Sequence, residues 1–506
     1  MDAPHDLPAA GPGAPTPPIA LRDGGASATS HLSGTSVAVP SDVLTSLGAI
    51  CATTVEGDGL AEASRDWWPQ AMMWALDGEV AAKAAAVVSP TSAEEVSQVL
   101  AVCHEARIPV TAAAGRSGVC GASVPVHGGV VLDLCKLAGV VDVDDTSLVI
   151  DVLPGTFGDH LEHTLRADHG LTLGHWPQSV ALSTVGGWLA CRSAGQLSTR
   201  YGKIEDMVLG LDVALADGRR ITTGGAPRAA VGPDLNQLFV GSEGTLGIIT
   251  GARLRVHPAP THERRAAYGF ASFTAGLDAM RRIIQRGGTP AVLRLYDPTE
   301  ADRTYHTGDR ALLLVLDEGP RGVVDATMEL VAEVCAEGHP EDVAHVAHWL
   351  EHRNDVAALE ALISRGYVID TMEVVGRWRD LPAIYDATLA ALQGVHGIVA
   401  ASAHQSHSYP DGGCLYFTFA AQVPAEDRDH CYREAWDAGT RAVLAAGGAL
   451  SHHHGIGLNR SRFVAEALGP AFDVLTATKA ALDPHGILNP GKLGFDVHPT
   501  WGPSGY

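Results

Sequence analysis

The sequence contains a run of three consecutive histidines, His452, His453 and His454. Two further histidines, His404 and His407, precede Tyr416 on a segment predicted to form a strand. An imidazole titrates near neutral pH, so these side chains could transfer protons or bind a carboxylate. They could also bind a metal such as zinc, although we expect none. A tyrosine needs nearby cations or donors to act as a base, because its ordinary pKa is about 10.

Three segments are rich in glycine, and the first of them could turn backbone N–H groups toward a phosphate. The first, AAAGRSGVCG at 112–121, follows a predicted strand. The second spans 174–206 and has small residues at 183–187 and 193–195, against which a large flat group could lie. The third is GSEGTLGII at 241–249. Each alone also fits an ordinary turn, and the G-x-G-x-x-G pattern of Rossmann folds is not found.

The elements that must position these segments are short strands mixed with helices. Ser92 and Glu95 predict a capping box at the start of a helix after the strand at 86–89. The residues Asp217 and Gly218 predict a hairpin with a two-residue turn. From about 426 the chain is mostly helical as far as GILNPGKL at 486–493, which we interpret as a segment folding back toward the glycine-rich loops.

In this order and separation, the glycine-rich segments resemble the FAD-binding domain of the vanillyl-alcohol-oxidase/PCMH superfamily. The stretch 171–297 most resembles the alkyl-dihydroxyacetonephosphate synthases, which are FAD-linked oxidases by fold. The likeness continues through GCLYFTF at 413–419 and SHHHGIG at 451–457.

The resemblance implies an α+β fold with a PCMH-type FAD-binding domain and an α+β cap, or substrate, domain built on an antiparallel sheet. C-terminal helices would return to the FAD domain. The expected division is a disordered or loosely packed tail (1–38), the FAD-binding domain (39–260), the cap domain (261–425) and a helical segment completing the active site (426–506).

The resemblance also implies which residues hold FAD. We expect noncovalent attachment, although Cys120 and His175 lie near the loops. The implied cofactor-binding residues are Ala112, Ala113, Ala114, Gly115, Arg116, Ser117, Gly118, Gln178, Ser179, Ser183, Thr184, Cys191, Arg192, Ser193, Ala194, Glu243, Gly244, Thr245, Leu246, Gly247, Ile248 and Ile249. The implied catalytic residues are Tyr416 as acid/base, the histidine run 452–454 and Arg294. His404 and His407 are expected to bind substrate.

Two reactions follow from the resemblance. One is oxidation of an alcohol or 2-hydroxy acid, with hydride transfer to flavin N5. The other is the synthases' non-redox exchange of acyl for alkyl in ether-lipid synthesis. The family's phosphate-binding arginine would fall near Leu359 and Glu360, where there is none, although Arg353 or Arg365 could substitute. Loss of such a charge-assisted contact favours the oxidoreductase.

Composition excludes some partners. The 35 basic and 58 acidic residues give a net charge of −23, which disfavours nucleic-acid binding. Apolar runs are too short for a transmembrane segment, and the eight scattered cysteines suggest free thiols in the cytoplasm. We therefore expect a cytoplasmic flavoprotein with a small-molecule substrate, and a homodimer is left open.

Overall fold

The computed structural model describes residues 10–21, 27–28, 31–497, 501 and 506, with only the backbone at 27–28. The tail predicted over 1–38 lies partly outside these residues. In its described part, Ile19 is buried. The carbonyl oxygen of Thr16 accepts a hydrogen bond from Trp67 Nε1 at 2.9 Å.

The strands of the described residues are numbered in chain order. They are β1 (Ser27–Ala28), β2 (Ala52–Thr54), β3 (Glu79–Val80), β4 (Ala86–Ser89), β5 (Val110–Ala113), β6 (Val130–Asp133), β7 (Val140–Asp144), β8 (Val149–Val152), β9 (Leu171–Thr172), β10 (Val208–Ala214), β11 (Arg220–Gly224), β12 (Ile248–Arg255), β13 (His257–Pro258), β14 (His262–Phe270), β15 (Val292–Tyr296), β16 (Ala311–Gly319), β17 (His339–Pro340), β18 (Val368–Arg377), β19 (Ile398–Ser408) and β20 (Gly412–Ala421).

The helices are numbered in the same way. They are α1 (Ser41–Ile50), α2 (Gly59–Ala63), α3 (Pro69–Leu76), α4 (Ala93–Ala106), α5 (Gly158–Thr164), α6 (Val185–Cys191), α7 (Ser198–Tyr201), α8 (Ile204–Met207), α9 (Asn236–Phe239), α10 (Phe273–Gln285), α11 (Pro298–Tyr305), α12 (Arg321–Val334), α13 (Ala344–His352), α14 (Ala357–Ser364), α15 (Leu381–Gln393), α16 (Arg428–Ala445), α17 (Val464–Leu468) and α18 (Ala471–Leu482).

Three larger sheets organise the fold. A four-stranded sheet has the order β2-β4-β6-β5, in which β4, β5 and β6 run parallel. An antiparallel five-stranded sheet has the order β11-β10-β12-β8-β7. The third is antiparallel, with the order β17-β14-β16-β15-β19-β20-β18. Its strands all lie between 262 and 421, whereas the domain limits predicted at 260 and 425 stay a prediction.

One local prediction needs correction. Ser92 caps α4 through its Oγ, and the Glu95 carboxylate turns back to the helix start, where it accepts from the backbone N–H of Thr91 and contacts that of Ser92. The hairpin of β10 and β11 forms, but its loop has three residues, because Leu215 still pairs with Arg219. Gly218 at φ +84° provides the left-handed residue that such a loop requires.

The C-terminal segment does fold back onto the first glycine-rich loop. Leu488 forms a bridge with Val110, next to that loop. Asn489 Nδ2 donates to the carbonyl oxygens of Ala122 (3.1 Å) and Glu243 (2.7 Å), and so ties the C-terminal segment to two of the three loops.

Within the described part of the chain, none of the helices combines the length and apolarity needed to cross a membrane. All eight cysteines lie in that part and are free thiols.

Candidate functional site

One cavity of about 980 Å³ lies where the three glycine-rich segments meet the seven-stranded sheet. The predicted cofactor residues on its wall are Ala112, Ala113, Ala114, Gly115, Arg116, Ser117, Gly118, Gln178, Ser179, Ser183, Thr184, Cys191, Ser193, Ala194, Glu243, Gly244, Gly247, Ile248 and Ile249. The predicted catalytic and substrate residues on the same wall are Arg294, His404, His407, Tyr416, His453 and His454. The fold therefore brings the two predicted groups together.

Three predicted cofactor residues do not line the cavity. The Arg192 guanidinium points away and donates to the carbonyl oxygen of Val240 at 3.2 Å. Thr245 is buried, with its hydroxyl donating to the carbonyl oxygen of Ser242. Leu246 belongs to an apolar core. Neighbouring positions in a turn face opposite sides of the backbone, so these three side chains point away from the cavity, and their role in cofactor binding stays a prediction.

The backbone of the loops fits a dinucleotide cofactor. At Gly115 a Cβ atom would lie 2.3 Å from the carbonyl oxygen of Leu182, so only glycine allows the first two loops to approach this closely. Arg116 (φ +54°) and Gly244 (φ +70°) have left-handed backbones, which turn successive N–H groups in one direction. Backbone donors of this kind can bind a pyrophosphate although the chain is strongly acidic.

The register of the seven-stranded sheet places four functional side chains in one row. Tyr296 on β15 pairs with His404 on β19, and His404 pairs with Tyr416 on β20. Tyr416 pairs in turn with Glu373 on β18. Directly paired residues of antiparallel strands point to the same face, so the row faces the cavity side of the sheet.

Tyr416 and His454, both predicted to be catalytic, contact each other at the cavity wall. The Tyr416 hydroxyl donates to Thr371 Oγ1 at 3.0 Å and lies 3.5 Å from His454 Nε2. Burial, with Glu373 nearby, raises the pKa of Tyr416 well above its ordinary value. The phenol is therefore protonated at neutral pH, and the cationic help that a tyrosine needs to act directly as a base is too weak here. Burial lowers the pKa of His454 to about 4, so the imidazole is neutral.

A buried carboxylate holds the histidine loop in place. Glu373 Oε1 accepts hydrogen bonds from Ser451 Oγ (2.7 Å), the backbone N–H of His454 (2.8 Å) and Arg460 Nη1 (2.8 Å). Its other oxygen accepts from the backbone N–H of His452. Burial opposes ionisation, but Arg460 and the neighbouring histidines outweigh it and hold the pKa of Glu373 far below its ordinary value.

His407, His452 and His453 form a second, more deeply enclosed cluster. Their candidate ligand nitrogens lie within 4.8 Å of one another, and the two Nδ1 atoms of His452 and His453 are 3.0 Å apart. The outer nitrogens contact Ser198 Oγ (2.7 Å from His407) and Tyr409 OH (2.9 Å from His452). Burial lowers the pKa of all three imidazoles. Of these three histidines, His407 and His453 line the cavity and His452 does not.

His404 lines the cavity, and its Nε2 atom is occupied by a hydrogen bond from Arg294. Arg294 Nη2 donates to His404 Nε2 at 2.7 Å, and Arg294 Nε donates to the Tyr296 hydroxyl at 2.7 Å. A guanidinium can only donate, so His404 Nε2 must be the unprotonated nitrogen. Burial and the Arg294 charge both lower the pKa of His404.

The position expected for a phosphate-binding arginine carries no basic residue. Leu359 and Leu362 of α14 line the cavity there, whereas Arg365 is exposed and does not reach it. Arg353 does line the cavity and is buried, but its guanidinium lies over the ring of Trp176, 5.0 Å from the centroid.

Sequence reasoning missed several residues that shape the site. Glu300, Thr371 and Tyr296 line the cavity, and Arg460 stabilises Glu373 from outside it. Glu300 had a visible but misleading signal, because an acidic residue three positions after Asp297 is typical of a helix N-terminus. The others carried no local signal, since their roles depend on which strands are neighbours.

Two protein-family models match two separate parts of this chain. The model described as "FAD binding domain" matches residues 84–224, and the model described as "FAD linked oxidases, C-terminal domain" matches 259–493. These matches confirm FAD as the predicted cofactor. Noncovalent attachment stays a prediction.

Among curated relatives, the FAD-linked oxidoreductase YgcU of Escherichia coli K12 is 32% identical over 433 residues, covering 81% of this chain and 88% of that protein. An alkyldihydroxyacetonephosphate synthase of Dictyostelium discoideum is 30% identical (80% and 72% covered). The glycolate oxidase subunit GlcD of Bacillus subtilis is 29% identical (81% and 88% covered).

Two solved structures share the fold. An alkyldihydroxyacetonephosphate synthase superposes with a TM-score of 0.74 at 24% identity, covering 96% of this chain and 88% of the other. A p-cresol methylhydroxylase superposes with a TM-score of 0.72 at 19% identity, covering 92% and 99%. They confirm the predicted fold class.

Replacing Glu373 by glutamine should destabilise the protein strongly. The variant leaves the Arg460 charge buried without its partner, which costs about 3–5 kcal/mol. Because the pKa of Glu373 is depressed, its stabilising effect is present at neutral pH, above the ordinary value of about 4.3, and is lost only in stronger acid. Urea unfolding at pH 7 measures the change. An exposed pair offers the control: Glu466→Gln, opposite Arg441, should cost less than about 1 kcal/mol.

Proposed function

This chain belongs to the FAD-linked oxidase family, and on that premise we propose that it oxidises an alcohol or 2-hydroxy acid. The observation that carries the proposal is the Tyr416–His454 pair, which stands in the same cavity as the glycine-rich loops. When bound, FAD supplies the acceptor for the hydride that leaves the substrate carbon. The residues of the chain must then remove the hydroxyl proton.

The protonation states of the pair support a relay. The neutral His454 imidazole can accept the phenol proton of Tyr416, whose hydroxyl hydrogen is free to rotate away from Thr371. The Tyr416 oxygen takes the substrate's hydroxyl proton in the same step. Glu373 Oε1, 3.7 Å from His454 Nδ1, would stabilise the imidazolium that results. Tyr416 therefore acts as a proton conduit, with His454 as the final acceptor.

Arg294 supports the 2-hydroxy-acid alternative. Its guanidinium is fixed by Tyr296 and His404 at the cavity wall, where it can bind a carboxylate. Relatives named glycolate oxidase subunit and probable D-lactate dehydrogenase fit the same substrate class. At the position expected for a phosphate-binding arginine the cavity wall is formed by Leu359 and Leu362, while the nearby Arg353 packs its guanidinium over Trp176.

A second candidate function is the non-redox exchange of acyl for alkyl on a phosphorylated ketone. The observation in its favour is the apolar outer wall, where Val356, Leu359, Leu362 and Ile369 could accommodate an alkyl chain. A relative named alkyldihydroxyacetonephosphate synthase is consistent with it. The exchange needs no electron acceptor, which separates it experimentally from oxidation.

An anaerobic visible spectrum of the holoenzyme tests the choice. We expect alcohols or 2-hydroxy acids to bleach the flavin absorption band at about 450 nm, and an added electron acceptor to restore it. Bleaching by acyl-dihydroxyacetonephosphate that a fatty alcohol reverses without acceptor would replace this proposal with the exchange reaction. If none of these compounds changes the spectrum, both assignments fail.

Removal of the phenol oxygen in Tyr416→Phe should slow anaerobic flavin reduction by about 10²- to 10⁴-fold, because the proton relay is interrupted. Stopped-flow absorbance measures the rate. Tyr268→Phe is the matched control, since Tyr268 lies on β14 outside the cavity and its loss should change the rate less than twofold. Full activity of Tyr416→Phe would remove Tyr416 from the mechanism.

The rate of flavin reduction should be insensitive to pH through about 6.5, where an unperturbed histidine titrates. Burial and Arg460 lower the pKa of His454 to about 4, while Glu373 opposes them. The base is therefore lost only as the pH falls toward 4. Stopped-flow pH jumps measure the profile with brief exposure to acid. A midpoint near 6.5 that disappears in His407→Gln would assign the base elsewhere.

A further inference from the structure

Glu300 is a buried carboxylate on the cavity wall, at the start of α11. The backbone N–H of Glu300 donates to Asp297 Oδ1 at 2.8 Å, as expected for the third residue of a capped helix. Such a glutamate usually returns its side chain to the N–H of the capping residue. Here the N–H of Asp297 is already bonded to the carbonyl oxygen of Ala403 (2.9 Å), which releases the Glu300 side chain for another partner.

That partner is His404. Glu300 Oε1 lies 3.1 Å from His404 Nδ1, and the second oxygen lies at 3.3 Å. The turn is fixed against β19 at the adjacent residue, because Asp297 Oδ2 accepts from the backbone N–H of Ala403 at 2.7 Å. The two hydrogen bonds between Asp297 and Ala403 therefore hold the start of α11 against the residue that precedes His404, which brings the Glu300 carboxylate within reach of the imidazole.

The two neighbours of His404 decide where its proton lies. Arg294 donates to Nε2, so the single proton of the neutral ring must be on Nδ1, where it is donated to Glu300. A carboxylate accepting from one ring nitrogen makes the other nitrogen a better acceptor. Glu300 thus strengthens the hydrogen bond through which His404 holds Arg294.

The charges are consistent with this arrangement. Burial opposes ionisation of Glu300, but His404, Arg294 and Arg303 outweigh it, so the pKa of the carboxyl lies below its ordinary value. The carboxylate also balances part of the buried guanidinium charge. Without the Glu300 carboxylate, the Nδ1–H of His404 would be a buried donor with no acceptor. That cost would favour a rotation of the ring away from Arg294.

We propose that Glu300 is a positioning residue that fixes the Nδ1–H tautomer of His404 and, through it, directs Arg294 toward the substrate. Arg294 uses Nε and Nη2 for Tyr296 and His404, and among the described residues none accepts a hydrogen bond from Nη1. Nη1 is then the donor left for the substrate's carboxylate or hydroxyl oxygen. Only the contact between Nη1 and the substrate rests on the proposed function, whereas the assignment of the His404 tautomer is independent of it.

The first test needs no substrate. In holoenzyme labelled with [¹⁵N]histidine, the His404 signals are identified by their absence in His404→Gln. We expect a protonated Nδ1 and an unprotonated Nε2, both in the wild type and in Glu300→Gln, whose amide oxygen can still accept. In Glu300→Leu the two tautomers should mix. A protonated Nε2 in the wild type overturns the proposal.

The second test is a double-mutant cycle on anaerobic flavin reduction by lactate. Glu300→Leu should slow reduction by about 10- to 100-fold, in the range typical of lost supporting contacts, and Glu300→Gln should recover most of it. In the Arg294→Lys background the same change should cost less than twofold, because its effect passes through Arg294. Equal losses in both backgrounds would show a merely structural role and overturn the proposal.

Glu341→Leu is the matched control, because Glu341 is a partly buried carboxylate that pairs with Arg310 (2.9 Å) away from the cavity. It should leave the His404 signals and the reduction rate unchanged. If lactate does not reduce the wild type, the hydroxy-acid part of the proposed function fails, while the tautomer experiment still decides the role of Glu300.

Discussion

The site depends on one fully buried carboxylate. Glu373 has no exposed surface and receives hydrogen bonds from two backbone amides of the histidine loop and from Arg460. A buried charge without partners would cost several kcal/mol, so the loop cannot leave without a large penalty. The requirement to satisfy Glu373 therefore fixes where His454 stands relative to the strands, and hence its distance from Tyr416.

A second carboxylate extends this constraint to the cofactor loops. Glu243 accepts from the backbone N–H groups of Ile456 and of Gly457 (2.8 Å), immediately after the histidines. The carbonyl oxygen of Glu243 also accepts from Asn489 in the C-terminal segment. Glu373 thus holds one end of the histidine loop, and Glu243 holds the other. Through these contacts the loop connects His454 to the third of the glycine-rich segments. Glu243, expected from sequence to hold the cofactor, also has this second task.

The burial that makes these contacts necessary also determines which side chains of the site are protonated. The same desolvation raises the pKa of Tyr416 and lowers the pKa of His404 and His454, so phenol and imidazoles are all uncharged at neutral pH. Arg294 and Glu373 remain charged because each has an opposite charge or a set of donors beside it. A neutral acceptor beside a protonated phenol is suited to moving a proton without creating an isolated buried charge.

The sequence by itself determined the features that depend on a few neighbouring residues. These are the capping role of Ser92, the turn at Gly218, the glycine-rich loops and, by resemblance, the FAD-binding fold. It could not determine that Tyr296, His404, Tyr416 and Glu373 form one row, because strand register joins residues as much as 108 positions apart (296 and 404), and a one-residue shift would turn each side chain to the other face. Only the tertiary structure directed Glu300 to His404 and Arg192 away from the cavity. Local propensity acts over a turn or two of chain, whereas burial and pairing are set by whichever distant segment completes the contact.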